Sequence, residues 1–376
     1  MSKHKKDGFT LVELLAVIVI LAVILVIAVP SIISTITESR KGALASSAKL
    51  IASSAETAYI SNQTLGIEKT LTCQDVSNYN ETEDYTCDLQ IEDGKAKVTL
   101  IGKGKFDGMA VCGGTKEEAE VEEPINGKCP TPFEKDNWAT IKAAVDAEKA
   151  GEVGATSKYK VGDTRPIDLD IDGDGEDETY TLRIANKSTP TECGQTGFSQ
   201  TACGFVIEFA DIISEKPMNS NDKNVGGWER STMRTYVNGT IYKALVAAIG
   251  DTDKDRPMII DTIVVSGHGR SDTTNYTTTD KLYLLSTREV WGTKLDFDTV
   301  GVETITRQLD YYKNNNVSTS SYSGAIKQNA GTNSFWWLRS ASSNSSYRFY
   351  YVNNDGSNLD IGAGSTYGVS PAFRLG

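Results

Sequence analysis

Histidine is close to absent, with two in 376 residues, His4 and His268. No Cys-x-x-Cys pair occurs. These two absences leave the ligand sets of structural zinc and the dithiol of thioredoxin-type chemistry without support. Lysine and arginine form no run after residue 6, and the formal net charge is −12. The basic stripe of a nucleic-acid binder therefore has no counterpart here. No unit recurs at solenoid spacing. No stretch brings together an acid, a base and a nucleophile, so the expectation is that the chain is not an enzyme.

What the chain does have is one long apolar run. A short basic stretch, Lys3-His4-Lys5-Lys6, precedes it, and Phe9 to Val29 is almost all Leu, Ile, Val, Ala or Phe. At ~1.5 Å rise per residue a helix of that length spans a ~30 Å hydrocarbon core. Glu13 interrupts it. A charge near a bilayer centre costs about 2.5–3.5 kcal/mol on insertion scales. A plain anchor gains nothing from that cost, whereas a segment that docks by charge does. The bland alternative is a signal anchor that happens to contain a Glu; basic residues on the cytoplasmic side suit either.

The segment Gly8-Phe9-Thr10-Leu11-Val12-Glu13-Leu14-Leu15 resembles the processing site of type IV prepilins and pseudopilins. The resemblance implies that residues 1–8 are a leader, that a prepilin peptidase cuts after Gly8, and that Phe9 becomes an N-methylated N-terminus. It implies that Glu13 meets the amino-terminal charge of a neighbouring subunit during assembly. Opposite charges in a low dielectric attract strongly, and an unpaired one is costly. The implied partners are other pilin subunits, the peptidase, and the membrane before assembly. The implied location is the cytoplasmic membrane for the precursor, then an extracellular filament or the cell surface.

An exported chain reaches an oxidising space, so its six cysteines read as disulfides. Six cysteines allow 15 connectivities. Proximity favours Cys73 with Cys87, Cys112 with Cys129, and Cys193 with Cys203. The expected class is α+β. A helix over 9–62, membrane-spanning over 9–29, carries apolar residues from Ile32 to Tyr59 at helical spacing, with a kink at Pro30. A small disulfide-pinned antiparallel head follows over 63–132, with strands at 85–91, 96–101 and 106–112 and an acidic loop over 116–124. Pro130-Thr131-Pro132 marks a boundary, and a larger mixed α+β domain fills 133–376.

In that domain we expect helices at 137–150 (capped by Asp136), 229–237, 241–249 and 303–312, with Gly239 and Gly250 ending the middle two. Strands are expected at 165–171, 180–185, 205–209, 258–265, 281–285, 347–352 and 357–361, and a last one over 368–375. Tyr159-Lys160-Val161-Gly162-Asp163, Phe335-Trp336-Trp337-Leu338-Arg339-Ser340 and Gly368-Val369-Ser370-Pro371-Ala372-Phe373-Arg374-Leu375 resemble an uncharacterised surface-protein domain common in Firmicutes. The Trp-rich strand and terminal Phe-Arg-Leu strand are also similar to C-type-lectin-like and formylglycine-generating-enzyme-like folds. The paired cysteines of those oxidases and the Glu-Pro-Asn or Gln-Pro-Asp sugar motifs of true lectins are absent, so only the fold is implied.

Three candidate sites follow. Asp170, Asp172 and Asp174, with Gly175, Glu176 and Glu178 beyond, open like a calcium loop, since hard oxygens every second residue suit Ca²⁺. Position twelve is Thr181 and the flanks read as strands, which excludes an EF-hand. A calcium-binding hairpin and a solvated acidic turn both remain open. His268 reads as a loop histidine. The segment 341–367 has 19 of 27 residues as Ser, Asn, Tyr, Asp or Gly, the composition of recognition surfaces. Trp337, Tyr347, Tyr350, Tyr351, Asn353 and Asn358 are its candidate ligand contacts, with an exposed polar sheet as the plain alternative and a core role expected for at least one of Trp336 and Trp337. The functional expectation is a pilin-like subunit, minor or adhesive. A pseudopilin and a tethered surface enzyme are the alternatives.

Overall fold

The computed structural model describes residues 11–77, 84–125, 127–196, 198–253, 255–270, 276–293 and 307–376, without the side chains of 12, 13, 21 and 23–31. Gly8, Phe9 and the Glu13 side chain lie outside these. The architecture is α+β, and the chain forms two compact units, Met1–Pro130 and Thr131–Gly376.

In the first unit, helix α1 spans Leu11–Leu65 and runs through Pro30 and Gly42 without interruption. It ends at Gly66, whose φ of +67° suits a residue without a Cβ. Leu44, Ala48, Ile51, Ala52 and Ala55 are buried, a single stripe at i, i+4, i+7, i+8 and i+11. Burial begins later than the apolar spacing suggested, because Ile32, Ile33 and Ile36 are all exposed and, among the described residues, no strand covers them. Among the described residues, no helix is long and apolar enough to cross a membrane. The expected span 9–29 therefore rests on sequence: its first residues and many of its side chains lie outside the description, and the helix does not stop at its end.

Four antiparallel strands lie in sequential order on the stripe: β1 (Tyr85–Glu92), β2 (Lys95–Gly102), β3 (Ala110–Gly114) and β4 (Val121–Glu122). The β1–β2 turn is Asp93-Gly94, with φ +49° and +78°. Two positive values define the tight hairpin turn that matches strand twist. Ala96, Val98 and Leu100 alternate inward along β2. The acidic segment expected as a plain loop supplies β4, pairing Val111 with Val121. Disulfides Cys73–Cys87 and Cys112–Cys129 staple this small core.

The second unit holds two five-stranded sheets. Its strands are β5 (Thr164–Leu169), β6 (Glu178–Lys187), β7 (Phe205–Phe209), β8 (Ser214–Pro217), β9 (Thr262–Ser266), β10 (Tyr276–Asp280), β11 (Leu282–Tyr283), β12 (Lys327–Asn329), β13 (Thr332–Ser334), β14 (Trp336–Ala341), β15 (Arg348–Val352), β16 (Asn358–Gly362), β17 (Thr366–Val369) and β18 (Ala372–Leu375). One sheet is ordered β11-β18-β7-β6-β5 and the other β16-β15-β14-β17-β8, with β9–β10 and β12–β13 as separate pairs. The terminal segment 368–375 is thus not one strand. Pro371 has no N–H to continue a ladder, and the chain crosses there from one sheet to the other. Its carbonyl accepts the Phe209 N–H at 3.0 Å, which ties the crossing to β7.

Helix boundaries also differ from expectation. Asn137, not Asp136, caps Trp138–Lys149, accepting the Thr140 N–H at 2.8 Å. Asp136 instead accepts the Tyr159 hydroxyl and pairs with Lys158. Thr232–Tyr236, a π turn at Val237–Ile241 and Tyr242–Ile249 run on as one helix. Gly239 does not end it, since the wider π turn absorbs the glycine; Gly250, at φ +68°, does. In place of the helix expected at 303–312, a short one spans Asp310–Asn314: 307–309 are not helical, Leu309 is its extended N-cap, and 303–306 lie outside the description.

One charge joins helix to sheet in the first unit. Glu56, buried on α1, accepts the Ala96 N–H at 3.2 Å and pairs with Lys116 at 2.7 Å. The Lys116 ammonium holds its carboxyl below the ordinary range. A depressed carboxylate adds stability above its unfolded pKa and loses it as pH falls through the folded one. Glu56→Gln should therefore lower the stability of this unit by about 1–2 kcal/mol at pH 7, and the difference from wild type should vanish on acidification below the carboxylate range, read by thermal unfolding across pH.

Candidate functional site

The acidic loop joins β5 to β6 as a hairpin tip. One carboxylate oxygen each from Asp170, Asp172 and Asp174 lies within 4.8 Å of the others, with Asp170 half-buried and the other two exposed. These oxygens also close the turn on itself. Asp170 accepts the N–H of Gly173 at 2.6 Å and of Gly175 at 3.1 Å, Asp172 that of Asp174 at 3.2 Å, and Asp174 that of Glu176 at 2.8 Å. Glu176 and Glu178 do not join the cluster; Glu178 opens β6 and accepts the Tyr180 hydroxyl at 3.5 Å. Three carboxylates fall short of the six to eight oxygens that calcium takes. Their visible work is turn closure.

The aromatic segment is placed quite differently from a binding face. Trp336 and Trp337 are both fully buried, and Tyr350 and Tyr351 are 5% and 6% exposed. Trp337, Tyr350 and Tyr351 are corrected from ligand contacts to core. The reason is topological: β14 and β15 are inner strands of their sheet and are covered on both faces, so alternation does not send a side chain to solvent. The Trp337 indole donates to the Lys216 carbonyl at 2.9 Å, and its ring packs on Tyr367 at 5.1 Å. Tyr347, Asn353 and Asn358 keep exposed surface, at or beyond the strand ends. His268 stacks flat on Tyr276, ring centroids 3.4 Å apart, and its Nε2 lies 2.7 Å from a Glu229 carboxylate oxygen. The spacing of these residues in sequence gave no sign of that pairing.

Residues 3–29 match the prokaryotic N-terminal methylation motif. The N-terminus is thus type IV pilin-like, of the kind that assembles with other pilins after a prepilin peptidase has acted. Residues 205–376 match a domain of unknown function, DUF6273. That match begins at the first residue of β7, so β5 and β6 of the same sheet lie ahead of it. No curated protein and no solved structure matches the chain.

Sequence reading missed two buried ionic centres. Glu208 on β7 accepts from the Arg183 guanidinium at 2.8 Å, the Tyr312 hydroxyl at 2.7 Å and the Lys327 ammonium at 2.7 Å. Lys327 reaches on to the Phe209 carbonyl and the Ser370 hydroxyl, beside the sheet crossing. Glu289 receives both terminal nitrogens of Arg339, at 2.6 and 2.7 Å, together with the Thr201 hydroxyl and the Ser286 N–H. Arg339 also donates to the carbonyls of Val265 and Leu284. Burial alone would raise both carboxyls; Arg183 and Lys327 at Glu208, and Arg339 at Glu289, outweigh it and hold them below the usual range. The one signal was an arginine inside the otherwise apolar run 335–339.

All five charged side chains serve to hold strands together, and each carboxylate is saturated. Arg339→Leu, which strands Glu289, should cost about 3–5 kcal/mol. The double variant Arg339→Leu/Glu289→Leu should recover a large part of that loss, as measured by chemical denaturation.

Proposed function

We propose that the chain is a minor, adhesive type IV pilin-like subunit, built into a filament through α1 and displaying Thr131–Gly376 as a non-catalytic recognition domain. The observation that carries the assembly part is the coincidence of the methylation motif at 3–29 with a helix whose apolar side chains stand uncovered. Leu11, Leu14, Leu15, Val17, Ile18, Val19 and Ile20 are 48–83% exposed. In this reading the apolar half lies in the cytoplasmic membrane before assembly and among sister helices afterwards. Glu13 pairs with the new amino terminus of a neighbour and fixes register.

The display part is supported by mass distribution: the second unit is nearly twice the length of the first and has its own core. Its fully buried carboxylates, Glu208 and Glu289, are saturated by structural partners, which favours recognition over catalysis at those two centres. The exposed Tyr347 and the half-buried Asn353 and Asn358 are the remaining contacts of the recognition reading.

Mass spectrometry of the mature protein should find N-methylated phenylalanine at residue 9, and Glu13→Leu should reduce filament yield at least tenfold with the subunit still present in the membrane. A polypeptide that retains Met1, or full filament yield from the variant, would remove the basis for this reading.

A further inference from the structure

A cavity of about 980 Å³ opens at one end of the sheet that contains β6, β7 and β18. Its floor is apolar, formed by Val145, Val161, Phe205, Ile260 and Leu375. Phe205 stands between Lys187 and Leu375 in cross-strand register, so the sheet itself sets an ammonium stem beside two buried apolar side chains. The loop closed by Cys193–Cys203 forms a wall.

The charges around this space are unusual for a chain of net charge −12. Four cations line it: Lys149, Lys160, Lys187 and Arg374. Among the described residues none of them makes an ion pair. Lys187 is half-buried and donates only to two carbonyls, Thr156 at 2.7 Å and Tyr159 at 2.9 Å, which leaves one N–H of three. Lys160 gives a hydrogen bond to the Ser157 carbonyl; its charge opposes that of Lys187, while the Glu148, Asp163 and Asp310 carboxylates lie close enough to favour it. Arg374 is bound to the Cys203 carbonyl and sulfur. The two carboxylates of the lining offset part of the Lys187 charge without bonding its ammonium: Glu148 accepts the N–H and hydroxyl of Thr156, and Asp310 accepts Arg307 and the Lys187 main-chain N–H. Lys187 and Arg374 are half-buried and Lys149 and Lys160 exposed; a half-buried ammonium that keeps a spare N–H and has no direct ion pair gains from an anion that reaches it. Apolar floors with a few convergent polar groups are the usual form of small-molecule sites.

We propose that this cavity binds a small amphipathic carboxylate, its apolar body on the Val145–Phe205–Leu375 floor and its head between Lys160 and Lys187. The few spare donors suit a monoanion rather than a phosphate. This site is independent of the filament reading, and it stands or falls without Glu13 or Phe9.

The test is equilibrium dialysis of the full-length chain in nanodiscs against octanoate, with empty nanodiscs subtracted and octanamide as the neutral comparison. Octanoate should bind at least tenfold more tightly than octanamide, and the preference should shrink in high salt. Lys149→Gln/Lys160→Gln, which removes two exposed ammoniums, should weaken octanoate about tenfold while leaving octanamide unchanged. Gly194→Trp fills the rim from an exposed position at φ −78°, where a side chain meets no strain, and should abolish binding of both. Equal binding of acid and amide, or octanoate binding that survives Gly194→Trp, would overturn the proposal.

Discussion

Two carboxylates with no exposed surface, Glu208 and Glu289, dictate much of how the C-terminal unit is put together. A carboxylate there is tolerable only where a guanidinium or ammonium arrives with good geometry. Glu208 draws Arg183 from β6, Lys327 from β12 and Tyr312 from a short helix onto β7. Glu289 draws Arg339 from β14, which in turn holds the end of β9. Sliding β6 by one residue would turn Arg183 to the opposite face and leave Glu208 short of its guanidinium. These pairs therefore act against wrong registers more than they add to total stability, and the sheet crossing at Pro371 lies within reach of one of them through Ser370.

The first unit meets the same requirement with fewer means. Its core is one helix stripe, mostly alanine, under a four-stranded sheet. Alanine lets β2 come close to α1 but buries little area per residue. Two disulfides within 130 residues, and Glu56 reaching across to the Ala96 N–H, supply what the small core does not. The larger unit has its own apolar core and keeps one disulfide, closing a surface loop beside a cavity.

What could be read from sequence follows the range of the interaction concerned. The β1–β2 hairpin was legible because Asp93-Gly94 is local turn chemistry between alternating strands. All three cysteine pairs were legible because the partners are at most 17 residues apart. Trp337, Tyr350 and Tyr351 belong to the core because composition suggests a recognition surface without saying which strands are covered on both faces, and β14 and β15 are. The split of 368–375 depends on two sheets whose other strands come from distant parts of the chain. The ion pairs were invisible for the same reason: Glu289 and Arg339 are 50 residues apart. For the site at the N-terminus the motif is itself local, so it was read at once.

Helix α1 has two halves of different composition, and the difference bears on assembly. From Leu44 onward the buried stripe is small and largely alanine, matched to a sheet that belongs to the same chain. Before Leu44 the helix carries large aliphatic side chains, with Ile32, Ile33 and Ile36 as exposed as those nearer the start. At ~1.5 Å per residue the helix before Leu44 is roughly 50 Å long. Large aliphatic side chains exposed over that length do not persist in water. Lipid can cover the first part, but Ser31, Ser34, Thr35, Thr37 and Glu38 make the second part amphipathic rather than lipid-like. A surface apolar on one side and polar on the other is covered best by another helix of the same kind. In the proposed filament role, the sequence of α1 suits two successive environments, first hydrocarbon and then sister helices, and the folded head leaves Ile32, Ile33 and Ile36 uncovered for the second.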